Sequence, residues 1–286
     1  MRALEKIQQG IAAATGSLAS LLKVALMSRR PSPKGEAKEG STLIIMGNGP
    51  SLREAMEKDA DVMAANELMS VNFAPLTPEF FQLRPAYHVL ADDVFFASPR
   101  QGNVAEMWKA LQRVDWEMTL FMPVKYRRNR DLRYIPPEVS FKFFNLTPVG
   151  GWKWLSRMLY NAGLGMPRPR NVLVPSIMMG IREGFKKIIL IGADHSWSKT
   201  LWVTDKNVVV SVQPHFYKDN EKERERVESL YKNIRLHQIY ESFAIAFRSY
   251  FAVKDYAQSR GVEILNATPG SFIDAFARTQ LSELRK

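Results

Sequence analysis

The sequence predicts an α/β protein built on one doubly wound, mainly parallel sheet. Three observations point there. Apolar runs without alternation, Leu43 to Met46 and Ile188 to Ile191, read as strands covered on both faces. Between such runs lie helical periodicities, as over 104–113 and 172–184. The strand-like runs end in Gly, Asn or Asp, the residues that turn a chain at the carboxyl edge of a sheet, where ligands of open α/β folds bind.

Residues 1–40 form a separate amphipathic helix and linker, ahead of a single domain over 41–286. Ile7, Ile11, Ala14, Leu18, Leu21 with Leu22, and Ala25 follow a four-three spacing that draws one apolar stripe, flanked by Arg2, Lys6, Lys23, Arg29 and Arg30. Three uses fit it: lying on the inner membrane surface through residues 1–30, pairing with a second copy, or packing on its own domain. Pro31-Ser-Pro33 and the Gly/Glu/Lys mixture to Gly40 read as linker.

Ser41 to Leu52, STLIIMGNGPSL, reads as a buried strand, a tight turn and a helix start. Gly47 and Gly49 would let the backbone approach a ligand, and the opening helix amides favour an anion such as phosphate. Pro50 suits the first helical turn, and Ser51 or Asn48 could cap it. The pattern lacks the third glycine of the dinucleotide fingerprint, so a plain tight turn is the competing explanation.

Asp61 to Asn66 is expected as a second strand and Ala86 to Asp93 as a third, which places Asn66, Asp92 and Asp93 opposite whatever Gly47 to Ser51 hold. A helix over 104–113 and a strand over Met118 to Pro123 follow. The basic run Lys125 to Arg133, the aromatics of 141–154 and the loop-like Met166 to Arg170 are expected to supply a lid or acceptor-binding insertion. An apolar helix ending near Gly184, a strand from Phe185 to Asp194, a small strand over Val208 to Val212, a long helical region from Arg224 to Tyr256, a strand over Gly261 to Asn266 and a short terminal helix complete the chain.

With 286 residues and 46% hydrophobic content the chain can bury a sizeable core. It has no cysteine, which excludes disulfides and cysteine-rich zinc sites and suits a cytoplasmic setting. Lys and Arg number 40 against 29 Asp and Glu, an excess of 11 that implies anionic partners: nucleotides, anionic lipids or polyanionic glycans. There is no HExxH or P-loop pattern, and Asp59-Ala-Asp61 precedes a strand instead of following one, so it stands on the wrong edge to clamp a metal-bound diphosphate. Of four histidines, His215 is the chosen general base, in a Pro-bounded loop between polar and aromatic neighbours. His195 competes, because it adjoins Asp194 at a strand end.

Gly47-Asn-Gly-Pro-Ser-Leu52, Asn66, Pro175-Ser176, Ile191-Gly-Ala-Asp194, His215 and Asn266-Ala-Thr-Pro-Gly-Ser271 together resemble the bacterial sialyltransferases of glycosyltransferase family 42, over about residues 42 to 275. The resemblance implies a single modified Rossmann-like domain, a GT-A-like variant, with a lid. It implies an inverting, metal-independent transfer of sialic acid from a CMP-sugar donor to a glycan or lipid-linked glycan acceptor, with no role for nucleic acid. It would place Gly47 to Ser51 and Asn66 on the cytidine nucleotide, Ser176 and Ser271 near the donor, and His215 as the base. The family's phosphate-supporting tyrosines are replaced here by His195-Ser196-Trp197, with Trp202 or Tyr217 as substitutes. A second resemblance is to archaeal 6-hydroxymethylpterin diphosphokinase-like proteins, which share the Gly-x-Gly-Pro-Ser-Leu start. That one implies ATP and magnesium, with Asp92, Asp93 and Asp194 around the ion. A nucleotide-binding scaffold without turnover is the non-enzymatic alternative.

Overall fold

In the computed structural model, residues 2–97, 99–211 and 234–285 are described. The main sheet contains β1 (Lys38–Met46), β2 (Glu67–Val71), β3 (Tyr87–Val89), β4 (Met118–Pro123), β5 (Val139–Phe144) and β6 (Phe185–Ile191). A separate antiparallel pair, β7 (Leu201–Val203) and β8 (Val209–Ser211), leaves the end of β6, and β9 (Glu263–Asn266) and β10 (Ala277–Arg278) return to the main sheet. Its order is β10-β9-β6-β1-β2-β3-β4-β5, parallel throughout.

From β1 the chain steps outward to β5, using α2 (Ser51–Lys58), α3 (Ala60–Ala64), α4 (Pro78–Leu83), α5 (Val94–Ala97) and α6 (Gly102–Leu111). These helices share one face, where Ile44, Met46, Leu120 and Met122 point. The chain then crosses back through α7 (Lys153–Ala162) and α8 (Leu173–Arg182) to β6, on the other side of β1, and through α9 (Leu236–Ser259) to β9. Those helices cover the opposite face, packed on Leu43, Ile45, Phe121 and Ile188. Right-handed crossovers require this change of face when the direction of winding reverses. It is also why β1 and β6 show no polar alternation. The reversal lies between β1 and β6, so the topological switch point is there.

The predicted doubly wound sheet is therefore present, with differences in its parts. Asp61 to Asn66 is not a strand: Ala60–Ala64 is helical, and β2 begins at Glu67. The stretch is alanine-rich and without a β-branched pair, so helix propensity prevails and Val62 and Met63 enter the core from α3. The aromatic middle third contributes β5 and α7 to the domain proper. After β9 the chain adds β10 and a 3₁₀ turn, Leu281–Leu284, in place of a short α-helix. The long helix is seen from Leu236; its expected start at 224–233 lies outside the described residues.

The N-terminal helix, α1 (Arg2–Met27), docks by a side that flanks its apolar stripe, with Val24 packed on the core. Ser17 and Ser20 are buried, while Ile7, Ile11, Leu18 and Leu22 are exposed. Ser17 Oγ accepts the Trp152 N–H (2.9 Å), Ser20 Oγ accepts the Gly150 N–H (2.9 Å) and donates to Gly150 O (3.0 Å). Gly151, at φ +101, lies so close that a Cβ would run into Ser17. The expected linker is strapped down: Ser32 bonds Phe143 through backbone and side chain, and Gly35 N–H donates to Arg182 O. Among the described residues, Leu4–Met27 is the one segment long and apolar enough to cross a membrane.

Candidate functional site

At the switch point the ends of β1 and β6 lean on each other. Gly47 N–H donates to Ile191 O (2.8 Å) and Gly49 N–H to Gly192 O (2.9 Å). A Cβ on either glycine would meet the Gly192 carbonyl, and one on Gly49 would also meet the Asp194 carboxylate. The glycines thus permit loop-on-loop contact, and these two amides are already used. Pro50 takes the N-cap position of α2 without a side-chain cap bond, and Ser51 Oγ donates to Asp194 Oδ2 (2.7 Å). Asp194 is the anion that the opening of α2 faces. A phosphate there would meet a carboxylate, whereas a sugar or ribose hydroxyl would find an acceptor. Asn48 stands part-exposed on the crest of this turn.

Asn266 and Ser271 hold the site from below. Ser271 Oγ donates to Ala193 O (2.6 Å) and accepts from Asn266 Nδ2 (3.0 Å) and Ile273 N (3.2 Å). One donor and two acceptor positions are then filled, leaving the hydroxyl nothing for a ligand. Thr268 Oγ1 accepts the Ala193 N–H, and Phe272 N–H donates to Asp194 O. The expected donor contact of Ser271 is corrected to a scaffold role that fixes Asp194.

Two further expectations need correcting. Asn66 precedes β2 and so lies at the amino edge, where its Nδ2 donates to Val62 O (2.7 Å). Ser176 is fully buried in α8 and its hydroxyl back-bonds to Val172 O (2.8 Å). The carboxyl-edge asparagine is Asn72, directly after β2, at φ +53 and with a buried Oδ1 that has no partner. The signal for it was in Leu68-Met-Ser-Val-Asn72, an apolar run closed by asparagine.

His195 follows Asp194 at φ +51, under Trp197 at a ring distance of 4.1 Å. Its Nε2 is 2.6 Å from the Tyr250 hydroxyl, which donates to Asn171 Oδ1 (3.0 Å). Asn171 Oδ1 also accepts the Leu173 N–H, the first turn of α8, so its oxygen is identified by that bond. Tyr250 gives its proton to Asn171, hence its oxygen accepts from Nε2–H and the lone pair of His195 is on Nδ1. Although the residue keeps some surface, its ring is enclosed by aromatics, and that desolvation lowers its pKa to about 3. So low a value makes a weak base. Asn171 Nδ2 is buried and unpartnered beside this chain of bonds. Neither Asn171 nor Tyr250 was singled out from the sequence, although an Asn ahead of an apolar helix is a cap signal.

Asp92 and Asp93 do reach the carboxyl edge, with other partners. Asp92 Oδ1 accepts the Val94 N–H (3.1 Å), and Asp93 pairs with Lys125 (2.6 Å) at the end of β4. Among the described residues no three acidic or imidazole groups gather closely enough to share a cation. Asp59 and Asp61 stand at the amino edge and pair with Arg285, which holds the Asp61 carboxyl down at about 2. Trp202 is exposed on β7. His215 and Tyr217 lie outside the described residues.

No family model and no curated protein matches the chain by sequence. Among solved structures, a MAf glycosyltransferase from Magnetospirillum magneticum AMB-1 has a similar fold, with a TM-score of 0.53 at 12% sequence identity. The match covers 92% of this chain and 38% of that one, so the chain spans well under half the length of that protein.

Proposed function

We propose that the chain is a glycosyltransferase that passes sialic acid or a related sugar from a CMP-activated donor to a glycan or lipid-linked glycan, with inversion and without a metal ion. One observation carries the placement: Gly49 and Ser51 pack on Asp194 at the switch point between β1 and β6, with Asn48 part-exposed on the same turn, at the position where open α/β sheets bind nucleotides. Asn48 and Asp194 offer both amide and carboxylate partners to the hydroxyls and base of a nucleoside, and Asn72 adds an unused acceptor one strand away. The solved glycosyltransferase of similar fold and the Gly-Asn-Gly-Pro-Ser-Leu resemblance support the reaction class. A CMP leaving group carries one phosphate, and in this proposal its donors lie away from Asp194, because the Gly47 and Gly49 amides are used within the turn. In this proposal His215 takes the acceptor proton; Asp194 and His195 position the β6 loop.

The test is a thermal-shift series with CMP, CDP, UDP, GDP and ATP, each with and without magnesium. A ligand at one hundred times its Kd adds about 2.7 kcal/mol to the native state, roughly 5 °C in Tm for a chain of this size. CMP is expected to give that shift without magnesium, and Asn48→Ala and Asn72→Ala to weaken it roughly 10-fold in concentration, the effect of about 1.4 kcal/mol. His215→Ala should keep the shift and lose transfer. A preference for ATP with magnesium would favour diphosphate transfer, and CMP binding with transfer unaffected by His215→Ala would remove that residue as the base. No transfer by the wild-type chain from CMP-activated sugars would leave a nucleotide-binding scaffold.

A further inference from the structure

A helix that packs on its own domain normally buries its apolar side. In α1 the reverse holds: Ser17 and Ser20 face the domain, and Ile7, Ile11, Leu18 and Leu22 face outward, each more than half exposed. The loop that receives α1 ends in Trp152, and Trp154 follows in the first turn of α7; the two rings stack at 6.4 Å and both are exposed. We propose that this outer side of α1, with the two indoles, is a surface that binds an anionic lipid bilayer and holds α1 flat in the headgroup layer.

Three properties favour a bilayer over a second copy of the chain. The apolar arc is wider than a coiled-coil seam, since Leu22 and Leu26 fall outside the three-four repeat. That repeat is thinned by Ala14 and Ala25, and the positions beside it, Gln8, Thr15 and Ser17, carry no charges to select a partner. The segment from Arg2 to Arg30 holds Arg2, Lys6, Lys23, Arg29 and Arg30 against one acid, Glu5, within a chain of net charge +11. Basic residues around an apolar helix side, with tryptophans alongside, match the chemistry of an interfacial helix on anionic lipid. Length and apolarity alone would let Leu4–Met27 span a membrane. Its bonds to Gly150 and Trp152 instead hold it along the domain. Next to that loop, Lys153 and Arg157 pair with Asp255 of α9. The proposal stands whether or not the candidate site transfers a sugar.

The full chain should float with vesicles of phosphatidylcholine and phosphatidylglycerol, and much less with phosphatidylcholine alone or when salt is raised from about 0.05 M to about 0.5 M. The double variant Leu18→Glu, Leu22→Glu should keep its circular dichroism and Tm and bind such vesicles at least about 10-fold more weakly. Brominated lipids should quench the wild-type tryptophan emission, and Trp152→Phe with Trp154→Phe should remove most of that quenching. Wild-type protein left in the soluble fraction overturns the proposal, as does unchanged binding by the double variant. A dimer in light scattering that the double variant splits, without vesicle binding, assigns the surface to a second copy. Resistance to alkaline carbonate extraction overturns it in favour of a spanning helix.

Discussion

His88 is enclosed on β3, with Nδ1 2.8 Å from Ser70 Oγ and Nε2 without a partner. Burial lowers its pKa to about 3, the same direction and cause as for His195. The sign of the effect on stability follows from linkage. In the unfolded chain these imidazoles titrate near 6.5, so below that pH the unfolded state binds protons that the native state refuses. Their contribution is complete above about pH 6.5 and is lost as pH falls toward about 3. Urea unfolding at pH 7, 6 and 5 should show stability declining below pH 6.5 by about 1.4 kcal/mol per pH unit for His88, with His195 adding in the same direction. His88→Gln should reduce that slope; a flat profile between pH 7 and 5 would refute neutral burial. Single side chains also decided the site. Ser271 is saturated by three bonds, Ser176 is back-bonded inside a helix, and Asn72 keeps an acceptor unused. Composition cannot distinguish these states, because each depends on which neighbours occupy hydrogen-bonding distance.

At the scale of elements, α1 shows how a correct periodicity can leave its partner undetermined. The stripe of Ile7, Ile11 and Leu18 is a helix side, as its spacing says. Which side meets the domain was settled by close backbone approach. Gly16 and Gly151 lie within contact of each other, and Ser17 and Ser20 satisfy the amides of the 150–152 loop. Gly151→Val would place a Cβ against Ser17 at a backbone angle suited to glycine. Trypsin cleavage after Lys23 and Arg29 in that variant is expected to accelerate about 10-fold or more through local opening, with the far-ultraviolet spectrum largely kept. Unchanged cleavage would mean that this contact does not hold the helix. The shift of β2 from 61–66 to Glu67–Val71 is the element-level error with the largest consequence. It moved asparagine from one edge of the sheet to the other, from Asn66 to Asn72.

Across the whole molecule, β1 and β6 are the best-protected strands: each is paired on both sides and covered on both faces. Their amides should exchange only through global opening. Hydrogen exchange followed by mass spectrometry should therefore find Leu43–Met46 and Ile188–Ile191 slowest. The β7–β8 pair and β10, at the margin, should exchange by local opening and much faster. Equal rates for β1 and β7 would contradict this sheet order. The same centrality places the candidate site where the framework is most rigid, and the apolar side of α1 at its periphery.

From the sequence alone came the fold class and the strand, glycine turn and helix start over Ser41 to Leu52. Apolar runs, helical spacing and turn residues are local properties that constrain the backbone directly. The tertiary structure alone decided what those residues do. It turned Gly47 and Gly49 into a seat for Gly192, set Asp194 rather than a free anion before α2, and sent Asn66 to the far edge. It also turned the leucines of α1 outward. The physical reason is common to all four. A residue's chemistry is written in its side chain, but its availability depends on which neighbours reach it. For Gly47, Gly49, Asp194 and α1 these lie more than a hundred residues away, and for Asn66 the partner is four residues back, across a helix–strand boundary that the fold sets.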